Sequence, residues 1–215
     1  MVIDDGSPDG TAEIADKIAL ADPQVSVHRR AKKLGLGLAY IDGFRIAMGK
    51  GYDCIIGMDA DFSHDPAVLP KMVEALADAD LVIGSRYIPG GSTPDWKTHR
   101  RLLSRMGNLT ARTLLGVPVR DCTTGYRCWR SEALEKLDFD HIKLTGYGFM
   151  IETTYQTYLA GLRIKEVPIT FNDRREGKSK MSGNIIKEAL FYVVKLRCQH
   201  IKRQLKSAFG SGTEK

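Results

Sequence analysis

The chain has 215 residues, 43% hydrophobic and 27% charged, an ordinary soluble composition with enough chain for one sizeable core. Its 32 Lys and Arg against 26 Asp and Glu leave a net charge of +6, a balance that suits an anionic partner such as phosphate, a lipid headgroup or nucleic acid. No stretch reaches the roughly 18 apolar residues of a membrane-spanning helix, no order of residues marks a signal peptide, and Cys54, Cys122, Cys128 and Cys198 lack CxxC spacing, so they indicate neither a zinc site nor a disulfide framework. A reducing cytosol fits this cysteine usage.

Met1-Val2-Ile3 reads as the end of a strand that enters the acidic turn Asp4-Asp5-Gly6-Ser7-Pro8-Asp9-Gly10. A helix then runs from Thr11 to about Leu20, with Ile14, Ile18 and Ala19 at helical spacing. Val25 to His28 is a second short strand. It leads into Arg29 to Gly37, where Lys32, Lys33, Gly35 and Gly37 open a helix through Ile46. Glycines at a helix start let backbone amides approach a phosphate, and lysines add charge. The plainer reading, packing glycines beside a solvated basic face, stays open.

An apolar run from Tyr52 to Met58 ends in Asp59-Ala60-Asp61-Phe62-Ser63-His64-Asp65-Pro66. Side chains alternate with period two in extended chain, so Asp59 and Asp61 aim at one place. Such a pair suits Mg2+ or Mn2+ on a diphosphate, at the strand end where open α/β sheets bind ligands. Aspartate is also a common turn former, so an acidic turn without a metal is the alternative. Asp65 before Pro66 reads as a helix cap.

A helix from Pro66 to about Ala77 follows, then a strand from Asp80 to Gly84 that ends at Ser85-Arg86-Tyr87. Strands alternating with helices predict an α/β fold with a doubly wound, parallel sheet. Pro89 to Pro94 reads as a flexible loop. Thr98 to Leu115 is an amphipathic helix, apolar at Leu102, Leu103, Met106 and Leu109, whose polar face with Arg100, Arg101 and Arg105 suits an anion or solvent. Asp121 to Trp129 has the composition of a strand. Gly148 to Ala160 is a helix in which the Glu152 carboxylate needs a partner.

Arg163 to Phe171 alternates as a strand, and Arg174 to Lys180 is a basic loop suited to closing over an anion. The last helix, 184–209, has an apolar stripe of Ile186, Leu190, Val194, Ile201 and Leu205 opposite Lys195, Arg197, Lys202, Arg203 and Lys206. That pattern suits a helix on an anionic membrane surface or one packed on its own domain. The chain thus reads as a single domain, 1–209, with a disordered tail at 210–215. Neither a helix-turn-helix nor a basic platform interleaved with aromatics is present, which argues against nucleic acid.

Six stretches taken together, Val2 to Thr11, Lys33 to Gly37, Met58 to His64, Gly84 to Tyr87, Asp121 to Arg127 and Arg175 to Met181, resemble the polyprenyl-phosphate (dolichyl-phosphate) mannose synthases. These are inverting glycosyltransferases of the GT-A class. The resemblance implies a GT-A type, doubly wound, mostly parallel, Rossmann-like sheet and transfer of mannose from GDP-mannose to a polyprenyl phosphate. It assigns donor contacts to Asp4, Asp5, Gly6, Ser7, Lys33, Asp59 and Ala60, and the divalent metal, Mg2+ or Mn2+, to Asp59 and Asp61. Ser63 stands where many relatives have Gln, so water replaces a third protein ligand. Arg86, Arg100, Arg175 and Lys178 match the basic residues that hold the acceptor phosphate; Asp61, Arg86, Arg100 and Arg175 carry the catalytic roles.

A membrane surface, a peripheral place on its cytosolic side and small membrane subunits follow as partners. The family also has a strand and helix before the acidic loop. The resemblance therefore implies an N-terminally truncated chain, with unpaired sheet groups that cost about 1 to 3 kcal/mol each and little stability or activity alone. Alternatives are a UDP donor carrying glucose or another sugar, and an inactive nucleotide-sugar-binding fragment.

Overall fold

The computed structural model describes residues 1–142, 147–173 and 191–202. Its centre is β4 (Leu81–Ser85), whose five residues are all buried, as expected of an apolar strand covered on both faces. The main sheet has the order β3 (Cys54–Gly57), β5 (Arg127–Arg130), β4, β6 (Ile164–Pro168). β4 and β6 are parallel, whereas β5 runs against both of its neighbours. The segment 116–126 carries the chain back to the carboxyl end of β4, where Arg127 pairs with Ile83, so β5 enters in the opposite sense. β1 (Val2–Asp4) and β2 (Val27–Arg29) pair in parallel as a separate two-stranded ribbon.

The predicted strand at 121–129 shortens to β5. Its first residues form a loop because side chains satisfy their amides: Glu166 accepts from Asp121 N–H, Asn108 from Cys122 N–H and Asp121 from Thr123 N–H. No ladder is needed there.

Helices cover both faces of the sheet. On one, Leu81, Ile83 and Trp129 meet α2 (Leu36–Gly49), α4 (Thr98–Leu115), α5 (Ser131–Glu135) and α6 (Tyr147–Leu159) through Phe44, Leu115, Leu134 and Phe149. On the other, Val82 and Val167 pack with Met72 of α3 (Leu69–Ala75) and with Leu76. α1 (Thr11–Ala21) turns its small residues Ala12 and Ala15 inward and leaves Ile14 and Ile18 exposed, the reverse of the face its spacing suggested.

α4 is reversed as well. Leu102, Leu103, Met106 and Leu109 are 58%, 41%, 56% and 58% exposed, while Asn108, Ala111 and Leu115 are buried. The polar side goes inward because it has partners there: Ser104 Oγ accepts from Tyr87 Oη at 2.6 Å, and Asn108 bonds Cys122 N–H and Thr123 Oγ1.

The loop at 89–94 is fastened, not flexible. Ser92 N–H donates to Ile169 O and Phe171 N–H donates to Ser92 O, and a Cβ on Gly91 would come 2.6 Å from Ser85 O.

Residues 191–202 form a further helix, α7. Val193 and Leu196 join the core, and Tyr192 Oη donates to Glu152 at 2.6 Å, which gives that carboxylate its partner. Val194 and Ile201 of the predicted stripe are exposed. The rest of the predicted 184–209 helix, and the tail, lie outside the described residues. Among the cysteines, Cys54 and Cys128 bring their sulfurs to 3.3 Å, Cys122 is buried and Cys198 is exposed.

Candidate active site

Three loops at the carboxyl ends of the strands build the site. After β1, Asp4 Oδ1 accepts from Gly6 N–H at 2.9 Å and Ser7 N–H at 3.1 Å, and Gly6 takes the left-handed φ of 78° that the turn requires. Hydrogen bonding by Ser7, working against burial, holds the Asp4 carboxyl below its ordinary value. Asp5 pairs with the buried Arg30, which also donates to Asp42 at 2.7 Å. Lys33 stands exposed just before α2.

After β3, the acidic turn is locked from within. Asp61 Oδ1 accepts from Ser63 N–H and Ser63 Oγ, and His64 Nδ1 accepts from Asp59 N–H at 3.0 Å. Phe62 is 72% exposed and has a φ of 62°, the one positive φ outside glycine among the described residues. A left-handed phenylalanine costs about 1 to 2 kcal/mol, so the turn holds its shape against local preference.

His64 itself is 2% exposed, stacks on Tyr126 at 4.8 Å and meets Phe171 edge-on. Burial, with Arg86 nearby, pulls its pKa down to about 4. It is a neutral spacer at physiological pH.

Asp59 and Asp61 are half-buried and Ala60 is exposed. Two carboxylates with a hydroxyl beside them form an all-oxygen donor set that fits Mg2+ or Mn2+, with water and a diphosphate completing the shell. No cluster of three or more His, Cys, Asp or Glu stands ready among the described residues, so the carboxylate pair needs those outside ligands.

The third loop meets the arginines. Arg86 Nε and Nη2 donate to the two oxygens of Asp121, each at 2.7 Å, and Nη2 also reaches Thr123 Oγ1 at 2.7 Å. Burial alone would raise the Asp121 carboxyl, but the Arg86 guanidinium outweighs it and holds it below its ordinary value. Arg100 Nη1 donates to Asp173 at 2.8 Å and its guanidinium lies 4.1 Å over the Trp96 ring. The sequence-predicted Arg175 and Lys178 lie outside the described residues.

Several residues that shape this site escaped the sequence reading. Tyr40 of α2 donates to Gly125 O at 3.1 Å. Gly57 and Gly125 make room for its ring: Cβ atoms there would sit 2.5 Å from Tyr40 Cε1 and 2.7 Å from its hydroxyl, the latter also 3.3 Å from Asp59 Oδ1. Arg127, 1% exposed, donates to Cys122 O, Thr124 O and Thr153 Oγ1 and so ties the 121–125 loop to α6. Burial pulls its pKa down to about 10. Tyr40 and Gly125 are 85 positions apart and Arg127 and Thr153 are 26 apart, so no local pattern announces these pairs.

A mixed sheet covered by helices on both faces, with an acidic turn at the carboxyl end of its edge strand β3, is the arrangement of a GT-A glycosyltransferase. Residues 1–138 match the model for glycosyl transferase family 2, and the chain belongs to that family. It is 49% identical over 195 residues to the undecaprenyl-phosphate mannosyltransferase of Micrococcus luteus, covering 91% of this chain and 80% of that one. It is equally 49% identical to the polyprenol monophosphomannose synthase of Mycolicibacterium smegmatis, covering 90% and 74%. The resemblance to polyprenyl-phosphate mannose synthases therefore holds. The glucosyl-3-phosphoglycerate synthase of Mycobacterium tuberculosis, solved with Mn2+ and UDP-glucose, shares the fold at a TM-score of 0.61 and 22% identity, over 93% of this chain and 67% of that one.

Proposed function

We propose that this chain transfers mannose from GDP-mannose to a polyprenyl phosphate with inversion at the anomeric carbon. One juxtaposition carries the reading: the Asp59–Asp61 turn and the Arg86–Asp121 pair are bridged by His64, which bonds one and lies in the field of the other. A place for a cation-bound diphosphate thus adjoins the arginine side of the site, where Arg86 and Arg100 flank one ring, Trp96. The names of the two 49% relatives point to mannose and to a polyprenyl acceptor.

In this reaction Asp4, Asp5, Gly6, Ser7 and Lys33 hold the nucleoside end of the donor, with Asp59 and Ala60 at its diphosphate. Asp59 and Asp61 hold the divalent cation, which when bound supplies Lewis-acid stabilisation of the leaving diphosphate. Arg100, with Arg175 and Lys178, receives the acceptor phosphate through forked contacts. Arg86 acts from its pairing with Asp121, fixing the loop against which that phosphate sits. A phosphate monoester with a second pKa near 6 is mostly dianionic at pH 7, so no general base is required. The neutral, buried His64 fits that requirement. In-line attack by the phosphate oxygen on the anomeric carbon breaks the bond to the diphosphate and inverts the centre.

The test is transfer of labelled mannose from GDP-mannose, with labelled UDP-glucose in parallel, to a short polyprenyl phosphate. Lipid-soluble label from GDP-mannose alone, reduced by about a thousandfold in Asp61→Ala, is the expected result. Label from UDP-glucose instead, or equal activity in the variant, would overturn it.

A further inference from the structure

Tyr40 reaches the acidic turn from α2, and the fold makes room for it at two places. Its ring stacks on Phe149 of α6 with centroids 5.7 Å apart and tilts against Phe44 at 5.8 Å, so it is held against both helices. Gly57 closes β3 under the ring, where any side chain would strike Tyr40 Cε1 at 2.5 Å. Gly125 faces the hydroxyl, and a Cβ there would stand 2.7 Å from Tyr40 Oη and 3.3 Å from Asp59 Oδ1. Hydroxyl and carboxylate thus converge on one point beside the Gly125 Cα, a point that a glycine leaves clear.

The backbone at that point is gripped from both ends. Tyr40 Oη donates to Gly125 O at 3.1 Å. Arg127 donates to Cys122 O and Thr124 O, each at 2.9 Å, and Asn108 Oδ1 accepts from Cys122 N–H at 2.7 Å. Across from this loop, the Asp59 N–H donates to His64 Nδ1 at 3.0 Å. That bond fixes where the Asp59 side chain starts, and Gly125 stands on the Oδ1 side of its carboxylate.

We infer that Tyr40 is a positioning residue for Asp59: by holding Gly125 beside the carboxylate, its hydroxyl fixes the side from which Asp59 meets a divalent cation. The inference deepens the proposed function and rests on its reading of Asp59 and Asp61 as cation ligands. The hydrogen bond of Tyr40 goes to the Gly125 carbonyl, so Tyr40 acts through the loop and is not itself a ligand. Groups that orient a metal ligand from behind change affinity by about tenfold to a hundredfold when removed, because Mg2+ tolerates little departure from octahedral oxygen geometry. A tyrosine that only packs would be replaceable by phenylalanine, which keeps the ring, both aromatic contacts and the fit against Gly57.

The test uses the full chain with Mn2+ and GDP, reading bound Mn2+ from the loss of the free-ion electron paramagnetic resonance signal. We expect Tyr40→Phe to weaken Mn2+ binding about tenfold, with a melt within about 4 °C of wild type. In transfer assays the same variant needs about tenfold more Mn2+ for half-maximal rate, while kcat at saturating Mn2+ and KM for the acceptor phosphate each stay within about twofold. Gly125→Ala drives a methyl group between hydroxyl and carboxylate and weakens Mn2+ binding at least as much. In Tyr40→Phe/Gly125→Ala the two losses do not add, because phenylalanine lacks the atom that the methyl group would strike.

Wild-type Mn2+ affinity in Tyr40→Phe overturns the inference, as does a lowered melt with that affinity unmoved, or losses that add in full in the double variant. Asp61→Ala separates this outcome from failure of the cation assignment. If Asp61→Ala binds Mn2+ as wild type does, the assignment of the acidic turn fails and takes the inference with it. If it loses Mn2+ while Tyr40→Phe does not, only the role of Tyr40 falls.

Discussion

Arg86 and Arg100 look alike in the sequence, two arginines in basic surroundings before a helix or within it, yet the fold puts them to different uses. The Arg86 side chain is 5% exposed, its fork is matched to Asp121 at 0%, and Trp96, Phe171 and Tyr87 rings surround it. The Arg100 side chain is 21% exposed, bonds the 37%-exposed Asp173 through one nitrogen, and stacks on the other residue they share, Trp96. A buried ion pair of matched forks resists exchange, since either charge left alone is costly. A partly exposed, single-contact pair gives way to a stronger anion. The lesson is that two arginines in similar sequence settings are held with very unequal firmness.

The sharpest way to break this contrast is Arg86→Ala. It strands the Asp121 carboxylate in the core and should cost about 3 to 5 kcal/mol of stability, seen as a melt lowered by about 10 °C. Arg86→Met with Asp121→Leu should recover much of that loss. A melt unchanged in Arg86→Ala would make Arg86 an exchangeable ligand like Arg100.

The second test adds charge next to Arg86. His64 has its pKa lowered to about 4 by burial, so the unfolded chain binds its proton first as the pH falls. Stability should be unaffected above pH 6.5 and decline between pH 6.5 and 4, by about 3 kcal/mol in all. Urea titrations of wild type and His64→Gln across this range check it; parallel curves would show that His64 titrates normally.

The smallest effect on stability belongs to Arg100→Ala, at most about 1 kcal/mol. Its activity at saturating donor should nevertheless fall by about a hundredfold, mainly through a higher KM for the acceptor phosphate. A large loss in melting temperature with an unchanged acceptor KM would place Arg100 with Arg86 as a structural residue.

Much of the layout was legible because it is local. The strand-turn-helix order around Asp4, the carboxylate spacing in Asp59-Ala60-Asp61 and the cap at Asp65, which accepts from Ala67 N–H at 2.9 Å, all follow from neighbours a few residues apart. What the sequence hid is long-range. The antiparallel sense of β5 goes with side chains from α4 and β6 that take over the amides of residues 120–122. The same pairing turned α4 over: periodicity shows two faces but not which one finds partners, and Ser104 and Asn108 found theirs. α1 shows the same ambiguity, settled by the fit of Ala12 and Ala15 rather than by the larger Ile14 and Ile18. Glu152 was recognisable as a group in need of a partner, and Tyr192, forty positions on, supplies it.

The uneven burial of the four thiols makes the protein its own labelling standard. Cys198 is exposed on α7, Cys54 is half-covered, and Cys122 and Cys128 are buried, so a maleimide dye under mild conditions goes first to Cys198. An environment-sensitive fluorophore there reports on α7 without any engineered cysteine. Its emission would shift to the blue if α7 meets a membrane or a protein partner, and would stay fixed if the contact lies elsewhere.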